Sequence, residues 1–122
     1  MPSGKLLAVL EDLMFTVKIH EAAKHSGMLV EFLKSQHDVL ERAKLAPALI
    51  IIDLNYQSID PIHLVTQLKS SDATKAVTVI GYVSHVQVDL KQQAQEAGCD
   101  VVLARSAFSQ NLPQLLRRYT VA

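Results

Sequence analysis

Two short stretches place carboxylates where apolar runs end. In ALIIIDLN (residues 48–55) five apolar residues run into Asp53, and in LLAVLED (6–12) another such run ends on Glu11 and Asp12. An acid at the end of a buried run is costly unless that end opens onto a cleft where water, a cation or a ligand can reach it. Should the three carboxylates share one cleft, they repel and raise one another's pKa until a cation or a hydrogen-bond network relieves them. Oxygen-only donors of this kind suit Mg²⁺, which keeps several waters and accepts a few carboxylates together with phosphate oxygens. A metal beside a nucleophilic carboxylate is the minimal apparatus for building an acyl phosphate on an aspartate.

Whether positions 11, 12 and 53 can meet depends on the elements that carry them. LLAVL (6–10), MLVEFL (28–33), ALIII (48–52), VTVIGYV (77–83) and VVLA (101–104) are short and rich in branched residues, the pattern of strands buried on both faces. Between them the period becomes helical. Phe15, Ile19 and Ala22 share a face, as do Val39, Leu40 and Ala43, then Ile62, Val65 and Leu68 after Pro61. The same holds for Val86, Leu90, Ala94 and Ala97, and for Leu112, Leu115, Leu116 and Tyr119. Gly27 and Gly98 stand where helices should stop. Five βα units in succession predict an α/β fold with a doubly wound, five-stranded parallel sheet and helices on both faces. In such a sheet ligands collect at the carboxyl ends of the strands, near the point where the winding reverses. A strand order beginning 2-1-3 makes strands one and three neighbours and brings Glu11, Asp12 and Asp53 to one edge.

Composition narrows the classes of function. The 122 residues include 49% hydrophobic side chains, enough to bury the core of one domain spanning 1–122. Twelve basic and twelve acidic residues cancel, so no broad field recommends direct binding of nucleic acid or an anionic membrane. The single cysteine, Cys99, excludes an internal disulfide and a cysteine-rich zinc site. The first apolar run is too short for a signal peptide or membrane span, and a cytoplasmic protein is expected. The histidines at 20, 25, 37, 63 and 85 lack ligand spacing, and only His85 falls near the expected cleft. With four glycines and no GxGxxG or GxxxxGK[ST], flavin and nucleotide binding are disfavoured.

With LLAVLED, IIIDLNYQSIDPIHLVTQLKS and QEAGCDVVLARSAFSQNL in this order and spacing, the chain resembles the receiver domain of response regulators in bacterial two-component signalling, over essentially its whole length. The resemblance implies a flavodoxin-like (βα)5 fold with strand order 2-1-3-4-5. It implies Asp53 as phosphoacceptor, Mg²⁺ held by Glu11, Asp12, Asp53 and the backbone carbonyl of Asn55, and no enzymatic activity beyond self-phosphorylation on Asp53. Expected partners are a histidine kinase or phosphotransfer protein upstream and a protein downstream, reached through the face of helix four, strand five and helix five. A homodimer is left open.

The departures from the family's pattern concern the switch half of the site. Receivers usually carry lysine and then a cis-proline after strand five, where this chain has Arg105-Ser106. Without proline a cis bond costs roughly 2.5–4 kcal/mol, so a trans peptide and a differently running loop are expected. Guanidinium is planar and permanently charged where ammonium is a compact point charge. The position of the usual threonine or serine falls on Val83, with Ser84 one residue on, and the rotating aromatic maps to Val102. Two mechanisms fit: an altered phosphorylation switch using Arg105 and Ser84, or a pseudo-receiver in which Arg105 pairs permanently with Asp53 and the surface binds a partner regardless of phosphate.

Simpler roles compete with each of these. Asp53 and Asn55 suit a turn after a buried strand, and Glu11 and Asp12 suit a helix N-cap. Arg105 could lie on the surface with a packed stem. Cys99 reads as a small buried residue at a helix end. The same sheet also serves small enzymes, so a phosphatase-like activity stays open, although Asn55 stands where a second aspartate would help such chemistry.

Overall fold

The computed structural model describes residues 4–84 and 87–119. His85 and Val86, which the sequence placed near the cleft and on the fourth helix, lie outside the described residues. The elements alternate as β1 (Lys5–Val9), α1 (Leu13–His25), β2 (Leu29–Phe32), α2 (Gln36–Ala43), β3 (Leu49–Asp53), α3 (Pro61–Ser70), β4 (Val79–Val83), α4 (Val88–Ala97), β5 (Val101–Ala104) and α5 (Arg105–Tyr119). All the strands pair in parallel in the order β2-β1-β3-β4-β5, as expected.

Alternation along the strands divides the core in two. Leu7, Val9, Ile50, Ile52, Val79 and Val83 pack under α2, α3 and α4, against Val39, Leu64, Val65, Leu68 and Ala94. Leu6, Ala8, Leu49, Ile51, Ile80 and Tyr82 face α1 and α5, against Phe15, Ile19, Phe108, Leu112 and Leu116. A fully buried branched side chain in either layer contributes about 1.5–3 kcal/mol. The central strands β1, β3 and β4 are nearly continuous in burial because both their faces are covered. β2 differs from the expectation of two buried faces: it pairs only with β1, and its four residues run from exposed to half-buried. As an edge strand it carries Glu31, held by Lys5 at 2.9 Å and Arg42 at 3.0 Å.

Local signals account for most boundaries. Asp60 caps α3 by accepting the His63 N–H at 3.1 Å, with Pro61 in the first turn as predicted. Gly98 ends α4 at φ 110°, where a Cβ would also meet the Lys69 side chain at 2.8 Å, so glycine is required there twice over. The inner face of α1 runs through Phe15, Ile19 and Ala23, one residue beyond the expected Ala22, which is only partly buried. α5 starts immediately after β5, so its buried face begins at Phe108, a full turn before the leucines the periodicity had picked out. No cis peptide occurs among the described residues, in keeping with the trans bond expected after Arg105.

Candidate functional site

The strand order sets the C-terminal ends of β1 and β3 side by side, with Val9 opposite Ile52. Asp53, the last residue of β3, pairs in register with Tyr82 of β4. It is half-buried, and its Oδ1 accepts the Asn55 N–H at 2.8 Å, closing a tight turn. Among the described residues no hydrogen bond reaches its second oxygen. Burial, chiefly, pushes the Asp53 carboxyl above the usual range; the Asn55 N–H and the Arg105 charge oppose this, while the charges of Asp12 and Glu11 add to it. The charges of Arg105, Asp12 and Glu11 are thus near enough to act on Asp53, and of these only Arg105 and Asp12 are joined by a direct contact.

Within the cleft the acids are not equivalent. Asp12 is the N-cap of α1, its Oδ1 accepting the Phe15 N–H at 3.1 Å. Its Oδ2 accepts a charge-assisted hydrogen bond from Arg105 Nη2. The Phe15 N–H first, and then the hydrogen bond and charge of Arg105, hold the Asp12 carboxyl below the usual range against the effect of burial. Glu11 is exposed. Arg105 is the first residue of α5, where a cation opposes the helix dipole by about 0.3–1 kcal/mol, and the carboxylate of Asp12 offsets this. Its guanidinium also lies 4.3 Å above the centre of the Phe15 ring. The pseudo-receiver alternative paired Arg105 permanently with Asp53; its hydrogen-bonded partner is Asp12, because the end of β1 and the start of α1 bring that acid against the first turn of α5.

Beneath Arg105 lies a cluster that the sequence did not single out. Tyr82 stacks on Phe108 at 4.7 Å and 12°, and Phe15 tilts against both, at 5.3 Å and 5.9 Å. The Tyr82 hydroxyl is buried without a hydrogen-bond partner among the described residues, and burial, chiefly, pushes its pKa up. Such an orphan costs about 1–3 kcal/mol, against the area the three rings bury together. A sequence signal did exist: Phe15 follows the capping Asp12 by three residues and Phe108 follows Arg105 by three, so each ring falls one turn beneath its charged residue.

The opposite wall is made of neutral amides. Asn55 Oδ1 accepts the Ser84 N–H at 2.7 Å, and Asn55 Nδ2 donates to Gln87 Oε1 at 2.8 Å. Because the Ser84 N–H can only donate, it fixes which end of the Asn55 amide faces it. Asn55, expected to act through its backbone carbonyl, thus ties the end of β3 to the start of α4 through its side chain. Ser84 enters this contact by its backbone. Val83 is buried among apolar neighbours and offers no polar atom, and Val102 is likewise buried in the same layer. Burial lifts the Cys99 thiol to about 11, which makes it a packing residue and not a nucleophile at neutral pH.

The donor set does not fit Mg²⁺ in this arrangement. Asp12 is occupied on one oxygen by the α1 backbone and on the other by a cation, and among the described residues no group of three or more His, Cys, Asp or Glu side chains is disposed to hold a metal ion. No helix among the described residues is long and apolar enough to cross a membrane.

No protein-family model and no curated relative matches the sequence. Solved structures do match over nearly the full chain. A putative response regulator from Chloroflexus aurantiacus superposes with a TM-score of 0.82 at 22% identity, covering 98% of each chain. A response regulator from Hahella chejuensis gives 0.83 at 17%, covering 96% of this chain and 95% of its own. The chemotaxis response regulator CheY4 of Vibrio cholerae gives 0.79 at 20%, covering 94% and 97%. At such identities the likeness speaks for architecture alone: the chain has the flavodoxin-like fold of response-regulator receiver domains.

Proposed function

We propose that the chain is a signal-transduction receiver module with Asp53 as its phosphoacceptor. The observation that carries this reading is the placement of Asp53: a half-buried carboxylate at the end of β3, one oxygen fixed by the Asn55 N–H and the other without a protein hydrogen bond among the described residues. In the reaction the free oxygen attacks phosphorus, an Asp53 O–P bond forms, and the P–N bond of a phosphohistidine or the P–O bond of a small acyl phosphate breaks, releasing imidazole or carboxylate. A histidine kinase or phosphotransfer protein is the upstream partner. Mg²⁺ on Glu11, Asp12, Asp53 and the Asn55 carbonyl, which would neutralise phosphoryl oxygens, belongs to this reading only in a state where Arg105 has left Asp12.

The output surface is the face of α4, β5 and α5. A groove of about 260 Å³ lined by Val83, Gln87, Val88, Lys91 and Ala104 opens there, and Val88 is 65% exposed. The groove touches Gln87, which Asn55 holds, so a change at the end of β3 has a short route to this face. A second reading, a pseudo-receiver that binds its partner without phosphate, is favoured by the ion pair of Arg105 with Asp12 and by the apolar Val83 at the usual switch position.

Incubation with acetyl phosphate, with and without Mg²⁺, followed by intact-mass measurement of wild type and Asp53→Asn, tests the proposal. One added phosphoryl group in wild type and none in the variant is expected. No labelling under either condition sinks the phosphoacceptor and leaves the pseudo-receiver; continued turnover of the donor without a limit per chain points to the phosphatase-like enzyme.

A further inference from the structure

Arg105 stands against Asp12 at the point where β5 passes into α5. Arg105 is covalently the first residue of α5, with no loop between it and Ala104 at the end of β5. Its guanidinium is held from two directions, by Asp12 Oδ2 at its edge and by the Phe15 ring beneath its face. Phe15 is itself locked, 8% exposed and packed on Tyr82 and Phe108. Asp12 cannot swing away without surrendering the Phe15 N–H that it caps. Unlike an ammonium, a guanidinium keeps its charge in proteins.

Mg²⁺ demands near-ideal octahedral geometry from carboxylates whose lone pairs are free to turn toward it. Here a guanidinium already donates to the outer oxygen of Asp12, and a second cation on that carboxylate would face it at close range. The geometry points to Arg105 as the resident cation of the cleft, standing in the role of a divalent metal, so that the folded protein excludes Mg²⁺ until the Arg105–Asp12 pair opens. The assignment is independent of whether Asp53 accepts phosphate, because metal binding and phosphoryl labelling are read separately.

Two measurements test it. Thermal melts of wild type in MgCl2, against NaCl of matched ionic strength, are expected to coincide, and Mn²⁺ titration followed by water-proton relaxation should show no sub-millimolar site. Arg105→Gln removes the charge and keeps a polar, hydrogen-bonding side chain two heavy atoms shorter. It should gain a Mg²⁺-dependent rise in Tm of about 5 °C when the metal stands at about ten times its Kd. Adding Asp53→Asn to Arg105→Gln should abolish that rise. Sub-millimolar Mn²⁺ binding by wild type that Asp12→Asn removes overturns the assignment, and so does a folded Arg105→Gln variant that gains nothing from Mg²⁺. Should Arg105→Gln fail to fold, the wild-type Mn²⁺ titration decides alone: no site upholds the assignment, and a sub-millimolar site lost in Asp12→Asn ends it.

Discussion

The two walls of the cleft are built on opposite principles. On the side of α1 and α5, a carboxylate and a guanidinium pair over three packed rings. On the side of α3 and α4, one amide side chain bridges two loops without any charge. The first wall draws most of its strength from apolar area beneath the charges, since a partly exposed ion pair contributes only about 0–1 kcal/mol. The second depends on a few directional bonds to backbone and amide, insensitive to salt but intolerant of a missing partner. The half of the site that carries charge is thus anchored rigidly in the core, while the half leading toward α4 is held by contacts that a change of partner at Asn55 can release.

The aromatic wall should break hardest. Phe108→Ala removes the ring stacked on Tyr82 and leaves a cavity between β4 and α5, with an expected loss of about 3–5 kcal/mol in denaturant unfolding. The loss should barely change with salt, because packing and not the ion pair supplies it. A loss under about 1 kcal/mol, or one that high salt removes, would make the ion pair the support of this wall instead. Asn55→Ala ranks next, at about 1–2 kcal/mol, because it leaves the Ser84 N–H without its acceptor. Its signature is local: amide exchange at Ser84 should quicken while amides of β1 stay protected. Uniform loss of protection would mean that the bridge supports the whole fold and not the approach to α4.

How far these walls could be foreseen follows from the range of the interactions that make them. Strand order, the neighbouring ends of β1 and β3, and the helix ends at Gly27 and Gly98 follow from apolar runs, periodicity and backbone rules, all of which act over a few residues. The capping role of Asp12 was legible as its simpler role, since an acid before an apolar helical face is a common start signal. The partner of Arg105 was not. Choosing between Asp12 and Asp53 requires knowing that α5 begins without a loop, and thus in which direction the side chain leaves the helix. Tyr82 read as one more apolar strand residue, because only the tertiary fold brings it against Phe15 and Phe108. For Asn55 the turn role was legible, but its side chain reaches Ser84 and Gln87 across a strand boundary that neither pattern nor spacing reports.

The smallest effects separate the acids themselves, and they carry opposite signs. Asp12 has a lowered pKa in the fold, so its contribution to stability is fully present above the ordinary value of 3.8 and is lost as pH falls through the folded value. Asp53 has a raised pKa, so its contribution is fully present below 3.8 and is lost as pH rises through the folded value; at neutral pH the ionised group is a burden. Asp12→Asn keeps a good N-cap and removes only the charge facing Arg105, so it should lose up to about 1 kcal/mol at neutral pH, and less in high salt. Asp53→Asn should gain about 0.5–2 kcal/mol at neutral pH, the common result of neutralising a strained site residue. The Asp53→Asn difference should shrink as pH falls toward 3.8, and the Asp12→Asn difference only as pH falls further below 3.8, which denaturant unfolding across an acid series measures directly. If both variants lose stability at neutral pH, the cleft needs its charge at Asp53 as much as at Asp12, and Arg105 must then serve both carboxylates.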